Sequence, residues 1–247
     1  MSRGPIERRV TDQPSALPVS GPVPGPIPEI ARHGDEGEPV AIFDAFARDP
    51  YALVEDATFL AFTAMGEHYP GVRAIVPPAI VAPMLAAIAP TVRSTFGGGG
   101  NLSVVDAFYS LVTTPPAALA PIQRLPHFDE VSPTRLALLL YLAQDERSGT
   151  AFFRQRATGY ERVDAGRLPA YRAALDRGIR EHGLPAPSYI AGDTPMFEEI
   201  ARHAGLFNRA ILYRSHALHC AAIPPDMTFS ADPAIGRLTL NLFLDCA

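Results

Sequence analysis

The chain has no lysine and no tryptophan, and only two cysteines in 247 residues. All 21 basic side chains are arginine, so an internal lysine Schiff base and a P-loop lysine over nucleotide phosphates are both excluded. Cys220 and Cys246 make no C-x-x-C pair, which removes dithiol redox chemistry and a cysteine-rich zinc knuckle. A reduced, cytoplasmic setting is the expectation. Positive charge is also scarce. Twenty-six acidic residues outnumber the basic ones, for a net charge of −5 and a pI near 5.8, so no basic field awaits a phosphate backbone and no nucleic-acid partner is expected. No uninterrupted run reaches the roughly 18 apolar residues of a membrane span, and the start MSRGPIERRV lacks the apolar core of a signal peptide. Neither membrane association nor export is expected.

What is present is enough apolar side chain, 47%, for one globular domain with a modest appendage. Eight prolines fall in the first 39 residues, among them the alternating Pro22, Pro24, Pro26 and Pro28. Proline fixes φ and lacks an N–H, so residues 1–38 read as an extended arm. Residues 39–100 read as a helical support region. Val40, Ile42 and Phe43 suggest a strand, and Asp49-Pro50 is a cap and first-turn pair opening a helix to about Leu60. Ile80, Met84, Leu85, Ile88, Val92 and Phe96 then recur at helical spacing up to Gly97. Pro83 and Pro90 predict a kink or break within that helix. The Gly97–Gly100 run reads as a hinge, because no Lys-Ser/Thr follows it.

Residues 101–247 read as a core of short strands: Leu102–Thr113, Ile122–Asp129, Thr134–Ala143, Thr150–Arg154, Ala210–Tyr213, Leu218–Ile223 and Arg237–Leu244. Many short strands in one domain suggest a double-sheet jelly roll or a barrel. A helical insertion around 160–206 carries Leu168, Tyr171, Leu175 and Ile179 at helical spacing. Thr194-Pro195 is expected to open a second short helix there, through His203. Such an insertion suits a lid or a homodimer surface.

Of seven histidines, His33, His68, His182 and His203 read as packing or surface residues. His127 differs, because in Leu125-Pro126-His127-Phe128-Asp129 an imidazole and a carboxylate stand two apart. On a strand they project from one face and can share a metal ion. The stretch 210–219 ends in two candidates for a third ligand, His216 and His219. Two histidines and one carboxylate occupy one face of an octahedral ion and leave open positions, a set suited to non-haem Fe(II). A 2-oxo acid cosubstrate would further need a cation for its far carboxylate, and arginine suits that role. In Gly236-Arg237-Leu238-Thr239-Leu240-Asn241, Arg237, Thr239 and Asn241 share one strand face while the leucines share the other.

The order His127-x-Asp129, His219, Arg237-x-Thr239 resembles the Fe(II)/2-oxoglutarate-dependent dioxygenase superfamily, in particular its prolyl-hydroxylase-like branch, over about residues 101–245. Leu138–Leu142 followed by Ser148-Gly149-Thr150 is similar to that branch's hydrophobic strand and glycine turn. The resemblance implies a mainly β fold with supporting helices, a double-stranded β-helix (jelly roll). It implies iron ligands His127, Asp129 and His219, with Arg237 and Thr239 holding 2-oxoglutarate and the Tyr141 hydroxyl adding a hydrogen bond to it. His219 is the implied distal ligand because it ends a Ser-turn-Leu-His sequence, leaving His216 as a supporting donor or substrate contact. The implied reaction uses dioxygen to hydroxylate an unactivated C–H bond of an amino acid, peptide or small metabolite. Desaturation or ring closure follows from the same chemistry, whereas the related halogenases lack the carboxylate present here as Asp129. The alternative is a cupin-like jelly roll binding a divalent metal without 2-oxoglutarate chemistry, for which Arg237 would have no use.

Overall fold

The computed structural model describes residues 26–97 and 101–246. Most of the proline-rich arm and most of the glycine run lie outside those residues.

Short, largely apolar strand sequences build two antiparallel sheets. The larger contains β1 (Glu29–His33), β2 (Glu38–Phe43), β3 (Gly71–Ile75), β4 (Ser103–Val112), β5 (Arg135–Tyr141), β8 (Ala210–Arg214) and β10 (Leu238–Asp245), in the order β1-β2-β8-β5-β10-β4-β3. The smaller contains β6 (Gly149–Gln155), β7 (Phe197–Ala204) and β9 (His219–Ala222), in the order β7-β6-β9. A single bridge from His127 to His219 extends its free edge. From β4 onward the chain passes from sheet to sheet: β4 large, His127 small, β5 large, the β6–β7 hairpin small, β8 large, β9 small, β10 large. That path is a jelly roll, so the fold is mainly β with supporting helices.

The helices cover the outer face of the large sheet. Leu238, Leu240, Leu242 and Leu244 point outward from β10 and are fully buried against Ala57 of α1 (Pro50–Thr58) and Val81, Met84 and Ile88 of α2 (Pro78–Thr91). Each such leucine contributes roughly 2 kcal/mol of apolar burial. Asp49 caps α1 by accepting the Ala52 N–H. Both Pro83 and Pro90 lie inside α2, and the chain passes into a π turn at Val92–Phe96 two residues past Pro90 before stopping at left-handed Gly97. Loss of the proline N–H is relieved by that wider turn. Segment Pro78–Phe96 has the length and hydropathy of a membrane-crossing helix. In this fold Val81, Met84, Ile88, Val92 and Phe96 pack into the core beside the large sheet.

Four local expectations are corrected. The arm does not extend to residue 38, because Glu29–His33 pairs with β2 in full register. The turn between these strands is held by Glu161, whose carboxylate accepts the N–H groups of Asp35 and Glu36 and pairs with Arg154. Thr194-Pro195 opens β7 and no helix: the Thr194 hydroxyl accepts the Phe197 N–H as a helix cap would, but the chain then pairs along β6. The capping signal is shared by both outcomes. Ile122–Asp129 is no continuous strand. Pro121–Arg124 forms a 3₁₀ turn, and Pro126 leaves room for one bridge only. Finally β3, which the sequence reading passes over, completes the large sheet by pairing with β4.

α3 (Leu168–His182) lies in the insertion and buries Tyr171 and Ala174, Tyr171 in the second core cluster with Phe153, Val163 and Phe197. At the other edge, Glu38 gathers Arg162, Arg214 at 3.4 Å and His216 at 3.6 Å. Burial opposes the charge on Glu38, but the close approach of His216 and the bond from Arg162 outweigh that and hold the carboxyl at about 2. A depressed carboxyl pKa stabilises the fold above its unfolded value and loses that contribution as pH falls toward the folded value. Glu38→Gln should therefore cost on the order of 3 kcal/mol in urea unfolding at pH 7, with the difference from wild type shrinking from about pH 4.5 downward; a pH-independent difference contradicts the charge cluster.

Candidate metal centre and cavity

A single bridge between the 125–129 segment and β9 brings the metal candidates together. His127 and His219 exchange both backbone hydrogen bonds, 2.9 and 2.8 Å, and the Asp129 N–H reaches the Ser215 carbonyl at 2.8 Å. This pins residues 127–129 beside the start of β9, with the His127 and His219 ring centroids 4.5 Å apart. Asp129 faces both rings: Oδ1 is 3.7 Å from Nε2 of His127 and Oδ2 is 3.7 Å from Nε2 of His219. Ligand atoms of the three residues lie within 4.8 Å of one another.

The electrostatics suit a cation. The Nδ1–H of His219 donates to the Ala217 carbonyl at 2.9 Å, which leaves the Nε2 lone pair facing Asp129. His127 is the most open member, with 51% of its side chain accessible against 6% for His219. That surface opens onto a deep cleft, where desolvation, then the neighbouring His219 and Arg73, push its imidazole down to about 3. A neutral imidazole is the form that ligates metal. Burial raises the Asp129 carboxyl, against the lowering influence of His219 and Arg73. Two imidazoles and a carboxylate in this arrangement fit a divalent transition metal.

His216 is elsewhere. It is buried next to Glu38 and does not line the cavity that holds the other two histidines.

That cavity has a volume of about 530 Å³. The inner face of β10 forms one wall, with Arg237, Thr239, Asn241 and Phe243 all lining it. Arg237 is 5% exposed. Its Nε–H donates to the Ser148 hydroxyl at 3.0 Å and an Nη2–H to the Gly149 carbonyl at 2.9 Å, and no carboxylate among the described residues pairs with it. A buried guanidinium held only by neutral groups is costly unless an anion completes its shell. Nearby, Asn241 Oδ1 and the Tyr213 hydroxyl are buried without a hydrogen-bond partner, as polar walls awaiting a polar ligand are.

The cavity thus unites His127, Asp129, His219, Arg237 and Thr239. Tyr141 is absent from its lining: the hydroxyl bonds the Thr150 hydroxyl at 2.7 Å instead, and it is Thr150 that reaches the cavity wall. Arg73, Tyr69 and His68 line the cavity as well. His68 reads in the sequence as a packing or surface residue, and Arg73 escapes notice because β3 does: only its pairing with β4 brings Arg73 to the inner face.

His219→Ala should abolish binding of one equivalent of Fe(II) or Mn(II) in anaerobic calorimetry, while His216→Ala leaves it intact; the reverse result moves the ligand to His216. Gly149→Ala tests the support of Arg237. An added Cβ would stand 2.1 Å from the His203 carbonyl oxygen, so β6 must shift and carry the Gly149 carbonyl away from the guanidinium. A loss of about 1–3 kcal/mol in thermal unfolding is expected.

In overall shape the chain is similar, at a distance, to several solved structures. HygX of Streptomyces hygroscopicus, crystallised with nickel and 2-oxoglutarate bound, superposes with a TM-score of 0.43 at 11% identity, over 83% of this chain and 82% of that one. The non-haem α-ketoglutarate-dependent carbocyclase SnoK from nogalamycin biosynthesis gives 0.44 at 12%, over 85% and 80%. EvdO2 of Micromonospora carbonacea var. aurantiaca gives 0.41 at 13%, over 85% and 88%. No curated protein matches the chain in sequence. Residues 24–244 match the sequence family DUF6445, a family of unknown function, and the chain belongs to that family.

Proposed function

We propose that the protein is an Fe(II)- and 2-oxoglutarate-dependent oxygenase that hydroxylates an unactivated C–H bond of an amino acid, peptide or small metabolite. One observation carries the reading: the His127–Asp129–His219 cluster and the unpaired, buried guanidinium of Arg237 line the same cavity. A plain metal site has no need of that guanidinium. When bound, Fe(II) with 2-oxoglutarate and dioxygen supplies the oxidising power, the cosubstrate leaving as succinate and carbon dioxide while one oxygen atom enters the C–H bond.

The protein's own residues supply position and environment. His219 presents Nε2 because Ala217 holds the opposite ring nitrogen, and His127 presents a neutral ring because its cleft disfavours the imidazolium. Asp129 adds the negative charge. Arg237 takes the far carboxylate of the cosubstrate, with its fork oriented by Ser148 and Gly149, and Thr239 beside it on the same face offers a hydroxyl. Tyr141 acts indirectly, by fixing the Thr150 hydroxyl. Leu125, Phe128 and Ile190 on the facing wall exclude water, which strengthens every charged contact inside.

In air with Fe(II), the protein should convert 2-oxoglutarate slowly to succinate even with no substrate added, and fully iron-loaded protein that leaves 2-oxoglutarate untouched contradicts the proposal. Arg237→Ala should weaken 2-oxoglutarate binding by about tenfold or more, the cost of a lost charge-assisted pair, while metal affinity stays within about threefold. Equal losses of both would remove Arg237 from the role.

A further inference from the structure

Once Asp129 is given to the metal and Arg237 to the cosubstrate, the cavity wall still holds a guanidinium with no partner. Arg73 enters from β3, opposite Ser110 on β4, which stands opposite Thr239 on β10. These three side chains form one row across the inner face of the large sheet. Arg73 and Thr239 are two strand spacings apart, roughly 10 Å, so Arg73 and Arg237 approach the cavity from different strands.

The Arg73 guanidinium is held by aromatic faces. Its Cζ lies 4.0 Å from the Tyr69 ring centroid and 5.2 Å from that of Phe108. Stacking fixes the plane of the group and leaves its N–H edge for an acceptor. No hydrogen bond or ion pair to its side chain is formed by any described residue, and Nε is buried without a partner. Asp129 and Asp106 act on it only through space. The same cavity is also lined by the apolar side chains of Leu125, Phe128, Leu175 and Ile190 and by the ring of Tyr171.

We propose that Arg73 is a substrate-binding residue and that the substrate is a small molecule with a carboxylate on an apolar body. The inference rests on the oxygenase reading above, since it assigns to substrate the part of the cavity that the cosubstrate leaves. A planar fork with a free edge matches a carboxylate in two parallel bonds, and those apolar side chains and the Tyr171 ring match the body. Arg172, on the same cavity and exposed on α3, places a further positive charge at the mouth, where it favours entry of an anion.

The test uses the full chain loaded with zinc(II) as a redox-inert ion, with and without 2-oxoglutarate. Phenylacetate, 3-phenylpropionate, hexanoate and N-acetyl-leucine, each beside its primary amide, and benzylphosphonate are titrated by calorimetry. At least one acid should bind wild type more tightly than its amide, and Arg73→Gln should weaken that acid by about tenfold or more. The same variant should hold 2-oxoglutarate within about threefold of wild type, and Arg73→Lys should recover part of the acid affinity. No acid preferred over its amide, or an acid bound equally by Arg73→Gln, overturns the proposal. So does loss of 2-oxoglutarate affinity in Arg73→Gln, which would give Arg73 to the cosubstrate, and so does preference for the phosphonate over every acid. Failure of the oxygenase reading looks different: 2-oxoglutarate does not bind wild type, while acid and amide are still told apart.

Discussion

Everything at this site depends on two backbone hydrogen bonds. His127 and His219 belong to segments ninety residues apart, and the only ladder between those segments is the pair of N–H···O=C bonds they exchange. A longer strand at 121–129 would also have placed His127, but Pro121 and Pro126 remove two donors ahead of it. The bond from Asp129 N–H to Ser215 fixes the second point of a line. With two points fixed, the side chains at 127 and 129 must face the imidazole at 219. The large sheet then supplies the opposite wall, and the leucines on its outer face, clamped by α1 and α2, keep that wall from moving.

Polarity is distributed across β10 with unusual economy. Its even-numbered positions from Leu238 to Leu244 are leucine and face the helices, while Arg237, Thr239, Asn241 and Phe243 face the cavity. A one-residue slip would bury the arginine under α2 and turn the leucines toward the His127–Asp129–His219 cluster. Pairing on both sides, to β4 and β5, prevents the slip. The charge on Arg237 is thus placed by apolar burial on the far face of the same strand, and its orientation comes from the β6 side through Ser148 and Gly149.

How much of this was legible beforehand follows the range of each signal. His127-x-Asp129, the alternation after Gly236 and the helical face of α2 are written in spacings of two to four residues, and each is found where it was read. The choice of His219 over His216 needed a resemblance, since both stand on the same short stretch; in the structure His216 sits in the turn at 215–216, beside Glu38, and His219 opens the strand that follows, on the cavity. Arg73 was invisible, because Gly71–Ile75 is a five-residue edge strand with no pattern beyond Val72, Ala74 and its flanks. The Thr194 turn misled for a different reason: a hydroxyl accepting from the third residue on is common to helix caps and to turns that lead into strands. Tyr141 sits on the expected strand, yet its hydroxyl is taken by Thr150, a cross-sheet contact that no local spacing encodes.

The two imidazoles are unequal in one respect that outlasts the question of which ligand arrives. His219 is buried, its ring locked by the carbonyl of Ala217, whereas His127 leaves half of its side chain on the cleft surface. The cluster therefore has a buried rear and an open front. Any ion that entered or left the cluster would pass His127, and a chelator in solution would gain its first grip there, at the histidine that the fold covers least.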